Sequence, residues 1–354
     1  MKTEISVDKE KFLINNTPTY EGKTYKNYSI EGLLFNSRMI QAIFDDENPK
    51  TKHLWKYPDT NEWDPERNTI EFCKMLPVYK SYGLLAFTVG LQGGGSIFTP
   101  KIYNNYLNSA FTPDGELKEA YFNRLLKILK AADDAGMVVI VNYFYIKQAE
   151  KLQSEKIIFQ ITKNVTEWLL NTGYNNMIVD VVNEAAPYWN VPTMKSENVH
   201  KLIGIVKDIK IDDRRLLVSA SSGGGPLIPT HKWLEIEDIT MPHGNGLSPL
   251  GIRLKIKRIR RTKEYKIRPR PILINEDSVF LENLEAAISQ YASWGFYCQG
   301  YGCNYQDRFD WRIKSREKEY ENLSGYQTVP INWSINTPLK KQFFDRLRQI
   351  TGGF

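Results

Sequence analysis

Two glutamates that each follow an apolar, β-branched segment could carry out acid–base and nucleophilic chemistry. Glu184 ends the stretch MIVDVVNE, and Glu276 ends the stretch PILINE. A carboxyl group that stays protonated can donate to a leaving oxygen, and an ionised carboxylate can attack a carbon from the opposite side. Cleavage of a glycosidic bond with retention of configuration uses such a pair about 5–5.5 Å apart. The two glutamates are therefore the candidate catalytic residues.

Sequence context separates these glutamates from another Asn-Glu pair. Asn61-Glu62, in YPDTNEWDP, has no apolar segment before it and is predicted to lie in a loop. Asp277, directly after Glu276, is the alternative to Glu276 for the same role. For either candidate, the simpler alternative is a strand-end carboxylate in a salt bridge. Uncharged surroundings would raise the pKa of Glu184 and keep it protonated while Glu276 stays ionised.

Short apolar segments alternate along the chain with helical patterns, and these elements must position the two glutamates. The helical patterns repeat apolar residues at steps of three and four, and two of them end on Gly136 and Gly173, typical C-terminal caps. Most apolar segments lack strict alternation, as parallel strands covered on both faces do. The segments are Ile30–Phe35, Gly83–Gly90, Gly136–Phe144, Asn176–Val182, Arg215–Ser221, Asp238–Gly244, Pro271–Glu276 and Gly295–Gly300.

These repeated units predict an α/β fold, namely a (β/α)8 TIM barrel with a short N-terminal β-hairpin. The absence of G-x-G-x-x-G after the first strand disfavours a doubly wound sheet. We expect a single catalytic domain over residues 1–354, with the hairpin segment in 1–29 and the barrel in 30–354. Asn-Asn-Thr-Pro at 15–18 is typical of a turn between two short strands, which would cover the barrel floor.

Active sites of such barrels lie at the C-terminal ends of the strands, so the residue at which each apolar segment stops is a candidate for the site. Strands 4 and 7 lie nearly opposite each other, which would bring Glu184 and Glu276 to two sides of a substrate. An ion pair with Asp45 or Asp46 is an alternative for Arg38, and loop packing is an alternative for the aromatics. The candidate substrate-binding residues are Asn183, His243, Asn36, Arg38, Asn142, Tyr143, Tyr145, Trp189, Gln299 and Tyr301, with Tyr188 and Trp311 as further stacking candidates.

The net charge of +6 comes from one segment. Ten of the 47 basic residues and one of the 41 acidic residues lie in residues 251–270, so the remainder has 37 bases and 40 acids. Apolar residues alternate with the bases, which favours a solvated amphipathic helix packed on the barrel. A nucleic-acid surface would need a wider basic face with aromatics, and an acidic polysaccharide stays as an alternative. No stretch approaches the roughly 20 apolar residues of a membrane span, so no membrane partner is expected. The two candidate carboxylates make a carbohydrate substrate the expected partner.

Cysteine and histidine patterns favour neither a disulfide framework nor a metal site. Of Cys73, Cys298 and Cys303, only the last two lie close enough in sequence to suggest pairing, and no Cys-x-x-Cys occurs. We therefore expect no metal and no cofactor. The runs Gly93–Gly95 and Gly223–Gly225 lack the Gly-Lys-Ser/Thr continuation of a phosphate loop and are predicted to leave a groove open. The stretch MKTEISVDKEKF lacks the apolar core of a signal peptide. Two localisations stay open: the cytoplasm, or secretion of a protein whose signal peptide is not part of this sequence.

These residues and motifs together resemble the large clan of retaining glycoside hydrolases that contains cellulases and β-galactosidases. FLINNTPTYEG, VVNEAAP, MPHG and ILINED carry the resemblance, which spans nearly the whole chain. It implies a (β/α)8 barrel with Glu184 as the acid/base on strand 4 and Glu276 as the nucleophile on strand 7. It also implies that Asn183 binds a sugar 2-hydroxyl, that His243 orients the nucleophile, and that the substrate is a β-linked oligo- or polysaccharide.

Departures from the clan's pattern leave the family within it unassigned. Many members carry Arg at the end of strand 2 and His after strand 3, where this chain reads GLQGGG and NYFYIKQ. Gln299 and Tyr301 stand where a Trp near the end of strand 8 is common, and Trp294 is expected at the barrel floor. A carbohydrate-binding barrel that has lost catalysis is the main alternative. A lyase or phosphate-ester barrel should show a metal cluster or a strand-end Lys, which the sequence lacks.

Overall fold

Parallel strands alternating with helices make up most of the computed structural model, which describes residues 1–96, 99–299 and 324–354. One hydrophobic core joins the strands to the covering helices, because apolar residues line both faces of the longest strands. Within the described residues, no helix is both long enough and apolar enough to span a membrane.

Short antiparallel strands precede the barrel. Asn15 and Asn16 have positive φ angles of 52° and 63° and form the turn that the sequence predicts. The N–H of Ile5 donates to the carbonyl of Asn175, which precedes a barrel strand, so these short strands lie at the N-terminal end of the barrel. They pair in chain order, the first three as one sheet and the last two as a hairpin: β1 (Ile5–Asp8), β2 (Lys11–Ile14), β3 (Thr17–Pro18), β4 (Thr24–Tyr25) and β5 (Tyr28–Ser29).

The barrel strands run parallel and follow one another around the ring in chain order. They are β6 (Asn36–Arg38), β7 (Ala86–Gly90), β8 (Val138–Phe144), β9 (Met177–Val182), β10 (Leu217–Ser219), β11 (Ser221–Ser222), β12 (Met241–Pro242) and β13 (Gly295–Phe296). One sheet has the order β10-β9-β8-β7-β6-β13, and β11 pairs with β12. Because only one residue separates them, β10 and β11 are two parts of the fifth strand.

Isolated bridges complete the ring at the seventh strand. Thr240 bridges Ile272, and Leu273 bridges Ser293, so the segment that begins at Ile272 lies between β12 and β13. β13 in turn pairs with β6. The ring is therefore closed by the eight strands that the sequence predicts, and the predicted α/β fold class is confirmed.

Helices between the strands cover the outside of the barrel. They are α1 (Pro65–Ser81), α2 (Pro100–Asn105), α3 (Glu119–Ala135), α4 (Ile146–Ala149), α5 (Glu155–Asn171), α6 (His200–Asp208), α7 (His231–Ile236), α8 (Pro249–Arg261), α9 (Lys263–Ile267), α10 (Leu281–Ile288) and α11 (Pro338–Thr351). Caps set several of their ends. Asp64 and Ser154 accept backbone N–H groups in the first turns of α1 and α5, and Gly136 ends α3 at a φ of 68°.

The basic segment packs against the barrel through α8 and α9. Arg260 forms an ion pair with Glu10 (2.8 Å), and Arg270 forms one with Glu237 (3.2 Å). Lys255, on α8, is buried. Some of the basic side chains therefore form ion pairs or are buried within the fold, which supports the prediction of an amphipathic helix packed on the barrel.

Candidate active site

Glu184 lies two residues beyond β9 in a backbone conformation that few non-glycine residues adopt. Its φ is 57°, in the left-handed region, where such residues cost about 1–3 kcal/mol and cluster at active sites. Its N–H donates to Ser221 Oγ (3.1 Å), and its carbonyl accepts from Trp189 Nε1 (2.6 Å). These bonds hold the residue from both sides and leave 27% of its side chain exposed at the barrel mouth.

Hydrogen-bond donors from strands 5 and 6 contact the Glu184 carboxylate. Oε1 accepts from His243 Nδ1 (3.1 Å) and from the backbone N–H of Gly224 (3.3 Å). Burial acts to raise the pKa of Glu184, but the hydrogen bond and charge of His243, the Gly224 N–H and the charge of Arg38 outweigh it and lower the pKa to about 2. Glu184 is therefore ionised at neutral pH in this arrangement. The expectation that uncharged surroundings keep it protonated is wrong.

Glu276 follows the seventh strand and is 8% exposed. Its Oε1 accepts from Asn245 Nδ2 (2.8 Å). Its Oε2 lies 2.5 Å from Nε of Arg38, which makes a buried ion pair. The two partners fix the carboxylate in one orientation, and Arg38 places a positive charge against it.

The neighbouring carboxylate, Asp277, has a different environment. It accepts from Trp294 Nε1 (2.6 Å) and Asn283 Nδ2 (2.9 Å), and burial raises its pKa to about 6. The Trp294 ring also packs near Phe343 of α11, so Trp294 lies between the barrel and the helix layer. Of the two neighbouring carboxylates, Glu276 is the one that faces the site.

His243 connects the two glutamates. Its Nδ1 lies 3.1 Å from Glu184 Oε1 and 3.6 Å from Glu276 Oε2. One oxygen of each carboxylate and a ring nitrogen of His243 all lie within 4.8 Å of one another. The histidine is thus closer to the candidate acid/base than to the candidate nucleophile that it was expected to orient. The same three groups could hold a metal ion, but the positive charge of Arg38 beside Glu276 disfavours a second cation.

Arg38, on the first strand, contacts Glu276 and also Asn183, the residue that precedes Glu184. Besides the ion pair with Glu276, its Nη2 donates to Asn183 Oδ1 (2.5 Å), and its guanidinium carbon lies 5.6 Å from the centre of the Tyr297 ring. The alternative of an ion pair with Asp45 or Asp46 is wrong, because the Arg38 side chain points into the barrel mouth. Asn183 therefore has its carbonyl oxygen anchored, which leaves its amide N–H groups as donors.

Three predicted binding residues lie inside the barrel wall instead of at its rim. Asn36 belongs to β6 and donates to the carbonyls of Leu34 and Ile274 (3.3 and 3.1 Å). Asn142 and Tyr143 are strand residues of β8. Asn142 donates to a backbone carbonyl of β9, and the Tyr143 hydroxyl meets a threonine of α5 (3.2 Å). All three are fully or almost fully buried, and their role as substrate-binding residues stays a prediction.

Other candidates lie on loops around the mouth. Tyr145 directly follows β8 and is half-buried, and Gln299 donates to Gln327 Oε1 (2.9 Å). Tyr188 is 63% exposed, and its ring centre lies 5.0 Å from that of Trp189. These positions are compatible with substrate contact, which stays a prediction. Outside the described residues lie Tyr301, Trp311 and Cys303.

Buried polar residues that the sequence analysis did not select support the site. Asp180, inside β9, accepts from the N–H of Ser221 (2.8 Å) and from Asn275 Nδ2 (3.1 Å), which ties three strands together. A lone acid within MIVDVV was the signal for it. Tyr297, beside Arg38, and Lys255, on α8, are the others. Lys255 carried a signal too, since it interrupts the apolar face of its helix.

Solved structures that resemble this chain include glycoside hydrolases. A family 5 glycoside hydrolase from Bacteroides vulgatus has a TM-score of 0.54 at 13% identity, over 84% of this chain and 61% of that one. A broad specificity endoglucanase from Clostridium longisporum has a TM-score of 0.54 at 10% identity, over 90% and 97% of the two chains. An endo-1,4-β-mannanase from Rhizomucor miehei has 0.52 at 10%, over 86% and 93%.

This similarity establishes a shared fold at low sequence identity. The chain spans less than two thirds of the length of the Bacteroides structure, at 61%. No protein-family model matches the chain, and no curated protein matches its sequence.

Proposed function

We propose that this protein is a retaining glycoside hydrolase that acts as a single catalytic domain on a β-linked oligo- or polysaccharide, with Glu276 as nucleophile and Glu184 as acid/base. The observation that carries the proposal is the spacing of the two carboxylates at the C-terminal ends of strands 4 and 7, where one oxygen of each lies within 4.8 Å of the other. Retaining enzymes hold their carboxyl groups about 5–5.5 Å apart, whereas inverting enzymes separate them by about 6.5–9.5 Å. The spacing supports retention.

In the first half-reaction, an oxygen of Glu276 bonds to the anomeric carbon while the bond to the leaving oxygen breaks and its electron pair stays with that oxygen. Arg38, whose Nε lies 2.5 Å from Glu276 Oε2, holds this carboxylate in place for the attack. The leaving oxygen takes its proton from Glu184. Since Glu184 is ionised in the arrangement described, it takes up this proton when the bound sugar excludes water, because desolvation favours the neutral carboxyl group.

In the second half-reaction, Glu184 acts as a base. It takes a proton from water, the water oxygen bonds to the anomeric carbon, and the bond to Glu276 breaks with its electrons returning to the carboxylate. The proton taken from water leaves Glu184 protonated again, as it was before the first half-reaction. Two displacements at the same carbon leave its configuration unchanged.

Polar and aromatic groups beside the glutamates are suited to holding a sugar. The anchored amide of Asn183 presents N–H donors next to Glu184, in the position that the clan resemblance assigns to the 2-hydroxyl contact. The exposed ring of Tyr188 offers an apolar face on the loop that follows Glu184. Both features favour a carbohydrate over a phosphate ester, because the groups are neutral.

The main alternative is a carbohydrate-binding barrel without catalysis. Such a protein would keep its aromatic rim and lose the charged partners of the carboxylates. Here Glu276 keeps both Arg38 and Asn245, and Glu184 keeps both His243 and Gly224. These intact contacts favour the enzyme.

A trapping experiment tests the proposal. The protein is incubated with a panel of 2-deoxy-2-fluoro glycosyl fluorides, and the mass of its peptides is measured. We expect one covalent adduct, on Glu276, from the β-configured sugar that fits the site. The fluorine at C2 slows both displacements, whereas the fluoride leaving group at C1 keeps the first one fast enough for the adduct to accumulate. A Glu276→Ala variant given azide should form a glycosyl azide of inverted configuration, whereas Glu184→Ala should form one of retained configuration.

Asp277→Asn is the matched control, since it removes the neighbouring carboxylate. It should still be labelled on Glu276. Labelling of another residue, or turnover by Glu276→Ala without azide at the wild-type rate, would contradict the assignment. Binding of oligosaccharides without turnover of any substrate would favour the inactive barrel.

A further inference from the structure

Lys255 occupies a position in α8 where an apolar residue is expected. Ile252, Ile256 and Ile259 form the buried face of the helix, and Lys255 falls on that same face at steps of three and four. Its side chain is 3% exposed. Burying an ammonium group is costly unless partners compensate it, so an uncharged residue of similar size would pack here more easily.

The ammonium group of Lys255 binds two backbone carbonyls at neighbouring strand ends. Nζ donates to the carbonyl of Gly223, after β11, at 2.9 Å and to the carbonyl of His243, after β12, at 2.7 Å. The N–H of His243 donates to the carbonyl of Ser222 at 2.9 Å. The backbone of His243 is thus held on both sides, and the fifth and sixth strands are joined through one side chain.

The carbonyl of Gly223 belongs to the same peptide group as the N–H of Gly224. In a trans peptide the C=O and N–H point in opposite directions, so anchoring the carbonyl on Lys255 aims the N–H of Gly224 at Glu184 Oε1 (3.3 Å). A side chain at position 224 would not fit, since a Cβ there would lie 2.7 Å from the carbonyl oxygen of Asn245. Both donors to Glu184 Oε1 therefore depend on backbone that Lys255 holds.

We propose that Lys255 is a positioning residue for Glu184, because it anchors the two backbone segments that present the His243 and Gly224 donors to the acid/base carboxylate. The kinetic part of this inference rests on the proposed function. The charges near Lys255 are consistent with it. Glu184 and Asp277 attract the ammonium, and Arg258 on the same helix opposes them, while burial lowers the pKa of Lys255 to about 7.

The test compares Lys255→Met with Lys257→Met, which changes an exposed lysine of the same helix. Each variant is assayed with a glycoside whose leaving group needs protonation and with a dinitrophenyl glycoside whose leaving group does not. General acid catalysis contributes about 10²–10⁴-fold, so partial misplacement of Glu184 in Lys255→Met should lower kcat/KM for the first substrate about 10–100-fold. The dinitrophenyl substrate and the Lys257→Met variant should stay within about threefold of wild type.

A second readout does not depend on turnover. Titration of the Glu184 carboxyl by carbon NMR, assigned with Glu184→Gln, should show its midpoint about one pH unit or more higher in Lys255→Met, because donors to the ionised form are lost. Gly224→Ala, which displaces one of the two donors directly, should also raise the titration midpoint of Glu184. This variant covers the case in which Lys255→Met does not fold. An unchanged midpoint, or equal kinetic losses on both substrates, would overturn the inference. Inactivity of the wild-type protein on every glycoside would count against the proposed function only, and the titration would still decide the role of Lys255.

Discussion

Replacing Arg38 with Met should destabilise the fold strongly, because it leaves the Glu276 carboxylate buried without a counter-charge. The Arg38 side chain is 1% exposed, and its Nε lies 2.5 Å from Glu276 Oε2. Two unit charges whose centres are about 4 Å apart attract by about 4 kcal/mol at an effective dielectric constant of 20. Breaking a buried pair from one side costs about 3–5 kcal/mol. We therefore expect the free energy of unfolding at pH 8 to fall by about 3–5 kcal/mol.

A double-mutant cycle isolates the interaction between the two charges. Glu276→Gln alone leaves Arg38 buried without its partner, so it should also lower stability. The double variant carries neither charge, and its loss should be smaller than the sum of the single losses by about 3 kcal/mol. Denaturant unfolding of the four proteins at pH 8, followed by tryptophan fluorescence, measures this coupling energy.

The buried pair of Arg270 and Glu237 is the matched control, with 3.2 Å between its charged atoms. Arg270→Met should also lower stability, but the folded protein should keep its kcat/KM within about threefold. Arg38→Met should lower kcat/KM at least about 100-fold, since Glu276 loses the positive charge that faces it and orients it. Additive losses around the cycle, or wild-type kcat/KM in Arg38→Met, would refute this account of the site.

The remaining predictions concern single features of the site. Asp277→Asn should keep kcat/KM within about threefold, because Asp277 faces Trp294 and not the mouth; a loss as large as that of Glu276→Gln would reverse their assignment. Burial lowers the pKa of Lys255 from 10.5 to about 7, so the unfolded chain binds more protons than the folded chain between these values and stability rises with pH. The free energy of unfolding of wild type, minus that of Lys255→Met, should therefore rise by about 1.4 kcal/mol per pH unit from pH 7.5 to 9.5, and a flat difference would contradict the burial of the charge. Dialysis against a chelator should leave the rate unchanged, whereas loss and recovery with one divalent cation would indicate a metal site.

Strand context was sufficient to find both candidate glutamates from the sequence. Each of Glu184 and Glu276 ends a buried apolar run, and only the strand order places them on opposite sides of one mouth. The closed ring confirms that order. His243 was predicted in the same way, although its closer contact is with Glu184. The fold class and the positions of the two glutamates at strand ends could therefore be predicted from the hydrophobic pattern.

Side-chain direction was less predictable, because it depends on where each strand ends. The first strand begins only where its apolar segment ends, so Asn36 is a buried residue inside β6, and Asn142 likewise lies inside β8 and not at its end. Tyr143 alternates to the opposite face and packs on a helix. The sequence also did not indicate which residues would contact each charged side chain. The pKa of Glu184 depends on donors that come from two other strands, so its ionised state could not be derived from MIVDVVNE alone.

Two departures from the clan's pattern have similar side chains nearby on other strands. The chain lacks an Arg at the end of strand 2, but Arg38, on the paired strand β6, brings a guanidinium to Glu276. Neighbouring strands are only about 4.8 Å apart, which is within the reach of an arginine side chain. The chain also lacks a His after strand 3, yet His243 brings an imidazole to Glu184 from the sixth strand. In this chain the guanidinium beside Glu276 therefore comes from the first strand and the imidazole beside Glu184 from the sixth, an arrangement that depends on the ring bringing distant parts of the chain to one end of the barrel.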